Sequence, residues 1–101
     1  MRTIVMLRPT NRRGTKGPYT QFRKRLVAEG FVLLQPEVFM RVSPTRAAAE
    51  HLEEQLREDV PETGAVCVLT LTERQYASIR YLTGGPDRQE RLVGARSQVE
   101  L

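Results

Sequence analysis

IVMLRPTNRRGTKGPYTQFRKRLVAEGF, residues 4–31, joins a short strand to a basic loop and then to a helix. Residues 3–7 are apolar and rich in β-branched side chains, which predicts a strand buried on both faces. Pro9 and the glycines that follow it indicate a loop up to residue 17. From Pro18 onward the apolar residues recur at helical spacing, and Gly30 stands where a left-handed C-terminal cap is expected. We therefore predict a helix over 18–29.

The rest of the chain continues this alternation of strands and helices. The further elements predicted are, in chain order, strands at 31–34 and 38–42, a helix at 45–59, a strand at 65–71, a helical turn near 73–76, and strands near 79–82 and 91–95. Gln35-Pro36 interrupts the first pair of strands, and without Asn-Gly or Asp-Gly the geometry of that break stays open. Ser43 or Thr45 is suited to cap the second helix.

The order β-α-β-β-α-β, followed by a short helix and extra strands, predicts a ferredoxin-like α+β fold. In such a fold both helices cover one face of an antiparallel sheet. A chain of 101 residues suits one domain. We place that domain, with its C-terminal strand, at 1–93 and a C-terminal tail at 94–101.

Cys67 is the only cysteine, which excludes an intramolecular disulfide and a zinc cluster built on several cysteines. Its position in the apolar run 65–71 predicts a buried, unreactive thiol, and we expect a reducing, cytoplasmic environment. No apolar run approaches the roughly 20 residues of a membrane span, and the apolar segment at 3–7 is too short for a signal peptide.

Charge is distributed very unevenly along the chain. Residues 1–25 carry eight basic and no acidic side chains, whereas residues 26–62 carry three basic and eight acidic ones. A concentrated basic region is typical of a surface that binds a polyanion, although a solvated helix face gives the same pattern. The predicted DNA contacts, through backbone phosphates, are Arg8, Arg12, Arg13, Lys16, Arg23 and Lys24. The sequence does not decide which of Arg23, Lys24 and Arg25 face outward.

Residues that would support catalysis are scarce in the same region. The first carboxylate of the chain is Glu29, so the end of the first strand has no local metal ligand or general base. His51 is the only histidine and has no evident partner, and the glutamates of the second helix are expected to face water. Tyr19 suits stacking on a sugar or base, but its spacing with Phe22 and Leu26 favours core packing.

Two blocks of sequence resemble a known family. YTQFRKRLVAEGFVLLQPEVFMR (19–41) and PETGAVCVLTLTERQY (61–76) are similar to CRISPR-associated protein two, in the variety that accompanies single-protein RNA-guided effectors, and the resemblance extends from residue 4 to about 93. It implies a ferredoxin-like homodimer in which C-terminal strands extend the partner's sheet. It also implies a role in adaptation, where the dimer bridges two dimers of the CRISPR integrase and holds the prespacer duplex.

The resemblance further implies a Mg²⁺- or Mn²⁺-dependent nuclease that relies on an aspartate in a pattern like F-D-x-P-T. Here the segment is MLRPT, and Leu7 stands at the aspartate position. We therefore expect no catalytic residues, no metal and no other cofactor, and a scaffold that binds DNA. The alternatives are a nuclease of the same family that uses acids such as Glu37 or Asp59, and a ferredoxin-like toxin ribonuclease.

Overall fold

The computed structural model describes residues 1–10 and 16–86, apart from the side chain of Lys16. Its elements are, in chain order, β1 (Arg2–Arg8), α1 (Lys16–Ala28), β2 (Val32–Gln35), β3 (Val38–Val42), α2 (Arg46–Arg57), β4 (Ala65–Leu71) and α3 (Glu73–Tyr76). Within these residues, no helix combines the length and the apolar composition needed to cross a membrane.

The four strands form one antiparallel sheet in the order β2-β3-β1-β4. β1 is central and pairs with β4 along its whole length, from Arg2 opposite Leu71 to Arg8 opposite Ala65. Each long helix connects two strands that are separated by one other strand of the sheet. This arrangement is compatible with a ferredoxin-like fold and confirms the predicted α+β class.

The sheet has a helix face and an open face because side chains alternate along each strand. On the helix face, Val5, Leu7 and Phe39 join α1 and α2 in one apolar cluster. The other members of this cluster are Tyr19, Phe22, Leu26, Phe31, Leu52 and Leu56. On the open face, Ile4 lies opposite Met40 on one side and Leu69 on the other.

Local sequence signals located the bounds of the observed elements to within two residues, and α1 begins at Lys16, two residues before the predicted start at Pro18. The strand predicted at 65–71 is β4, and the helical turn predicted near 73–76 is α3. Gly30 adopts a left-handed φ of 90° after α1. Thr45 caps α2 by accepting a hydrogen bond of 3.1 Å from the backbone N–H of Ala48.

Two structural predictions were wrong. Residues 79–82 do not form a strand, because this segment lies across the open face, where the sheet presents side chains and not unpaired backbone groups. Cys67 is exposed, because it belongs to the edge strand β4 and points to the open face. The predicted strand at 91–95 and the tail at 94–101 lie outside the described residues.

Candidate nucleic-acid interface

The carboxyl end of β1 brings together three segments of the chain. Arg8, the last residue of β1, is exposed and pairs with Ala65 at the start of β4. Two residues later, the hydroxyl oxygen of Thr10 lies 3.5 Å from that of Thr63, in the loop before β4. The chain therefore leaves β1 beside the loop that precedes β4.

Tyr19 connects α1 to the loop that precedes β4. Its side chain is fully buried, and its hydroxyl donates a hydrogen bond of 2.7 Å to the carbonyl oxygen of Thr63. Gly64 follows with a φ of 79°, and a Cβ atom there would overlap the Tyr19 hydroxyl and lie 2.5 Å from the Arg8 carbonyl oxygen. The burial of Tyr19 favours core packing over stacking on a nucleotide.

Three consecutive basic residues of α1 lie in three different environments. Successive residues of an α-helix are separated by roughly 100°, so Arg23 and Arg25 flank the buried stripe on opposite sides while Lys24 points away from it. Arg23 forms an ion pair with Glu37, and Arg25 forms ion pairs with Glu29 and Asp59. Lys24 is exposed, and no acidic partner occurs for it among the described residues.

The Arg23–Glu37 pair is bidentate. The Nε and Nη2 atoms of Arg23 donate to the two carboxylate oxygens of Glu37 at 2.9 and 2.8 Å. Both side chains are about one-third exposed. The hydrogen bonds to Glu37 raise the pKa of the Arg23 guanidinium, so Arg23 remains fully charged. The paired guanidinium is less available to an external anion than a free one.

The predicted DNA contacts divide into three groups. Arg8 and Lys24 are exposed cations at the strand end and on the outer side of α1. Arg23 is a cation that is already paired with Glu37. The remaining predicted contacts lie outside the described side chains, and they are Arg12, Arg13 and Lys16. The assignment of all six residues to DNA stays a prediction.

Leu7 lies on the helix face of β1, and 7% of its side chain is exposed. It packs into the apolar cluster beneath the helices together with Val5 and Phe39. Its backbone N–H donates a hydrogen bond of 2.8 Å to the carbonyl oxygen of Glu37. The strand end thus presents a buried aliphatic side chain next to the exposed Arg8.

The acids that we considered as alternative metal ligands have other partners. Glu37 binds Arg23, and Asp59 binds Arg25 from the end of α2. Across residues 1–10 and 16–86, no three His, Cys, Asp or Glu side chains converge in a way that would hold a metal ion. Glu37 and Asp59 therefore serve as ion-pair partners of α1.

Sequence reasoning missed two groups of charged residues. The pairing of Arg23 with Glu37 had no local signal, because 14 positions separate the two residues and only the tertiary fold brings them together. The second group lies at the other end of β1, where Arg2 donates a hydrogen bond of 2.7 Å to Glu73 and lies 4.1 Å from the centre of the Tyr76 ring. The sequence around Arg2 gave no indication that its side chain is buried, because its partners Glu73 and Tyr76 lie more than 70 residues away in α3.

Comparison with known proteins identifies close similarity to one group. No protein-family model matches the chain. A protein of Acidovorax ebreus (strain TPSY) is 37% identical over 103 residues, covering 100% of this chain and 99% of the relative. One of Ligilactobacillus salivarius (strain UCC118) is 33% identical over 94 residues, covering 93% of each. One of Streptococcus mutans serotype c (strain UA159) is 35% identical over 88 residues, covering 86% of this chain and 81% of the relative.

All three relatives bear the name "CRISPR-associated endoribonuclease Cas2". The first of them matches from end to end, so the similarity covers the whole domain and is not confined to a single motif. The resemblance that the two sequence blocks indicated is thereby confirmed, and the chain belongs to the family of CRISPR-associated Cas2 proteins.

Proposed function

We propose that this protein is a non-catalytic scaffold of CRISPR adaptation. In this proposal it forms a homodimer that bridges dimers of the CRISPR integrase and binds the prespacer duplex through backbone phosphates. The observation that carries the proposal is the burial of Leu7 in the apolar core, at the position where the resemblance leads us to expect the family's metal-binding aspartate.

The chemistry of Leu7 supports this proposal over a metal-dependent nuclease. Mg²⁺ and Mn²⁺ bind oxygen ligands, which an aliphatic side chain lacks. The described residues around Leu7 do not fit a divalent ion, because the nearby carboxylate of Glu37 is bound to Arg23. Holding a duplex does not require a metal, since phosphate contacts from Arg and Lys supply affinity without any bond cleavage.

The distribution of charge supports a role in binding DNA. Arg8 and Lys24 are exposed, and the segment between them adds Arg12, Arg13 and Lys16 in a stretch with no acidic residue. Arginine offers a planar fork of donors to phosphate, and lysine offers a compact point charge. Contacts of this kind position a duplex without selecting its sequence, which suits prespacers of many sequences.

The first test measures duplex binding against salt concentration. Replacing Arg12 and Arg13 with alanine should weaken binding and flatten the slope of log K against log salt by roughly 0.9 for each phosphate that the variant no longer binds. The matched control replaces Arg46 and Arg74, which are exposed and follow β3 and β4 at the opposite end of the sheet. Lys16→Ala extends the series. Equal effects from both pairs of substitutions would overturn the proposed surface.

The second candidate function is a divalent-metal nuclease, which the name of the relatives, endoribonuclease, favours. Purified protein incubated with RNA or duplex DNA, with and without Mg²⁺ or Mn²⁺, should leave both substrates intact. Metal-dependent cleavage that copurifies with the protein would contradict the scaffold proposal. If Glu37→Gln or Asp59→Asn then abolished that cleavage, those acids would be the ligands, and a nuclease built on residues other than position 7 would replace the proposal.

A further inference from the structure

The turn between β2 and β3 links α1 to the end of β1 through a single residue. Gln35 pairs with Val38, so Pro36 and Glu37 form a two-residue connection. Glu37 has a φ of 67°, which is uncommon for a residue with a side chain. Proline followed by a residue of positive φ is the pattern of a type II turn, in which glycine or asparagine is usual at the second position. The presence of glutamate there calls for a specific explanation.

Glu37 makes two contacts that together supply this explanation. Its carboxylate receives the two hydrogen bonds from Arg23 of α1. Its carbonyl oxygen accepts the hydrogen bond from the N–H of Leu7. This last bond extends the β1–β3 ladder one residue beyond the Met6–Val38 pair, and it immediately precedes Arg8. The side chain of Glu37 therefore fixes the turn to α1, and its backbone fixes the strand end to the turn.

The geometry points to Arg23 and Glu37 as positioning residues for anion binding. We infer that their ion pair holds the end of β1 in place and so sets the position of Arg8, and that Arg23 itself makes no phosphate contact. This inference rests on the proposed DNA-binding function, and it revises the role that the sequence predicted for Arg23. A phosphate approaching Arg23 would have to compete with a bidentate carboxylate and would be repelled by its charge.

The two roles for Arg23 predict opposite signs for one substitution. Glu37→Gln removes a negative charge beside the basic region and keeps the size of the side chain. If Arg23 contacts phosphate, this variant should bind duplex more tightly, because a competing anion is gone. If the pair positions the strand end, the variant should bind more weakly in spite of its more favourable net charge. We expect weaker binding by about threefold to fivefold, the equilibrium factor typical of a partly exposed ion pair.

The experiment makes two measurements, duplex affinity against salt and hydrogen exchange, on Glu37→Gln, Arg23→Gln and a control. The control, Glu50→Gln, makes the same charge change as Glu37→Gln at an exposed site on α2. Duplex affinity against salt should show a slope unchanged by Arg23→Gln but flattened by roughly 0.9 in Arg8→Gln. Hydrogen exchange of the Leu7 amide, measured without DNA, should accelerate several-fold in both variants of the pair and not in the control. The charge-swapped variant Arg23→Glu with Glu37→Arg should recover the protection of Leu7.

Each outcome decides between the two claims. Tighter or unchanged binding by Glu37→Gln, or a flatter salt slope in Arg23→Gln, would overturn the positioning inference while the DNA-binding function stands. Failure of the unmodified protein to bind duplex would overturn the proposed function. Hydrogen exchange of the Leu7 amide would then still test whether the Arg23–Glu37 ion pair holds the end of β1. Unchanged exchange in Glu37→Gln would overturn that link as well. If Glu37→Gln does not fold, failure of the charge-swapped variant to protect Leu7 would contradict the inference.

Discussion

The two faces of the sheet are both apolar, but the single chain covers them very differently. On the helix face, Val5 and Phe39 are at most 4% exposed beneath α1 and α2. On the open face, Ile4 and Met40 are also buried, at 7% and 0% exposed, whereas Leu69 on the edge strand is 48% exposed. Ile79, which follows α3 onto the open face, is also 48% exposed. Among residues 1–10 and 16–86, the helix face therefore forms a complete core, whereas the open face is covered only near its centre.

The difference shows how one sheet can serve two purposes. Burial of apolar area contributes about 25 cal/mol per Å², so the covered face supplies most of the driving force for folding. Apolar side chains left on the open face contribute little to the single chain and remain available to a second surface. The homodimer that we propose would use them in this way. Four substitutions test this contrast, beginning with the most disruptive.

Leu7→Asp should be the most destabilising of these substitutions. It removes an aliphatic side chain from the core and places a carboxylate there, which we expect to lower the free energy of unfolding by about 4 kcal/mol or more at neutral pH. The loss should be smaller near ~pH 3, where the carboxyl group is protonated. Urea denaturation at both pH values measures it.

The control for Leu7→Asp is Cys67→Asp, which puts the same charge on the exposed side of β4. This variant should lose less than about 1 kcal/mol in the monomer. If both variants were equally stable at neutral pH, the end of β1 would be open enough for a charged carboxylate, and the scaffold proposal would lose its main support.

Gly64→Ala should have the next largest effect, because it combines a steric overlap with an unfavourable backbone conformation. The new methyl group would meet the Tyr19 hydroxyl and the Arg8 carbonyl oxygen. We expect a loss of about 2–4 kcal/mol, from overpacking together with the left-handed φ. Gly30→Ala is the matched control, because φ is also positive there but an added Cβ atom would have no non-neighbouring atom within 4 Å. It should cost about 1 kcal/mol. Thermal denaturation of both variants measures the difference.

Equal losses at the two glycines would contradict the close packing of the loop before β4 against Tyr19. A second readout is duplex affinity. Gly64 adjoins Thr63 at the base of the basic loop, whereas Gly30 lies at the far end of α1. Only Gly64→Ala should therefore weaken binding in a sample that remains folded.

Arg2→Gln tests the contacts that hold α3 against the open face. Arg2 is 6% exposed, pairs with Glu73 and lies over the Tyr76 ring. Losing a largely buried charge pair and a cation–π contact should lower the free energy of unfolding by about 1–3 kcal/mol. Arg57→Gln, which breaks ion pairs on the exposed side of α2, should cost no more than about 0.5 kcal/mol. Chemical denaturation of the two variants compares them, and similar losses would show that the contacts of Arg2 do not stabilise the fold.

The sequence predicted those features that depend on neighbours along the chain. The boundaries of β4, the cap at Thr45 and the left-handed Gly30 follow from apolar runs and capping chemistry within a few residues. The direction of the three basic residues at 23–25 did not follow, because it depends on Glu37 and Asp59, which approach from other elements.

The exposure of side chains on a strand, and whether a segment pairs as a strand, were the hardest features to predict from the sequence. The run AVCVLTL has the composition of a strand buried on both faces, which led us to expect a buried Cys67. β4 is instead an edge strand, and the exposure of its open side is decided by the order of the sheet. Residues 79–82 have strand-like composition too, but a strand also needs a neighbouring backbone to pair with.

Leu69→Ser should have the smallest effect on folding and the clearest effect on association. About half of Leu69 is already exposed, so its replacement should change the free energy of unfolding of the single chain by less than about 1 kcal/mol. If the open face forms the proposed dimer, the substitution should raise the dimer dissociation constant at least about tenfold, which corresponds to ~1.4 kcal/mol of association free energy. Sedimentation equilibrium separates this effect from folding, and Val27→Ser, at an exposed position of α1, should change neither quantity. If Leu69→Ser instead lowered the free energy of unfolding as much as a core substitution does, the open face would already be covered within one chain. A half-exposed side chain can have so large an effect only if other residues of the same chain cover it when the protein folds.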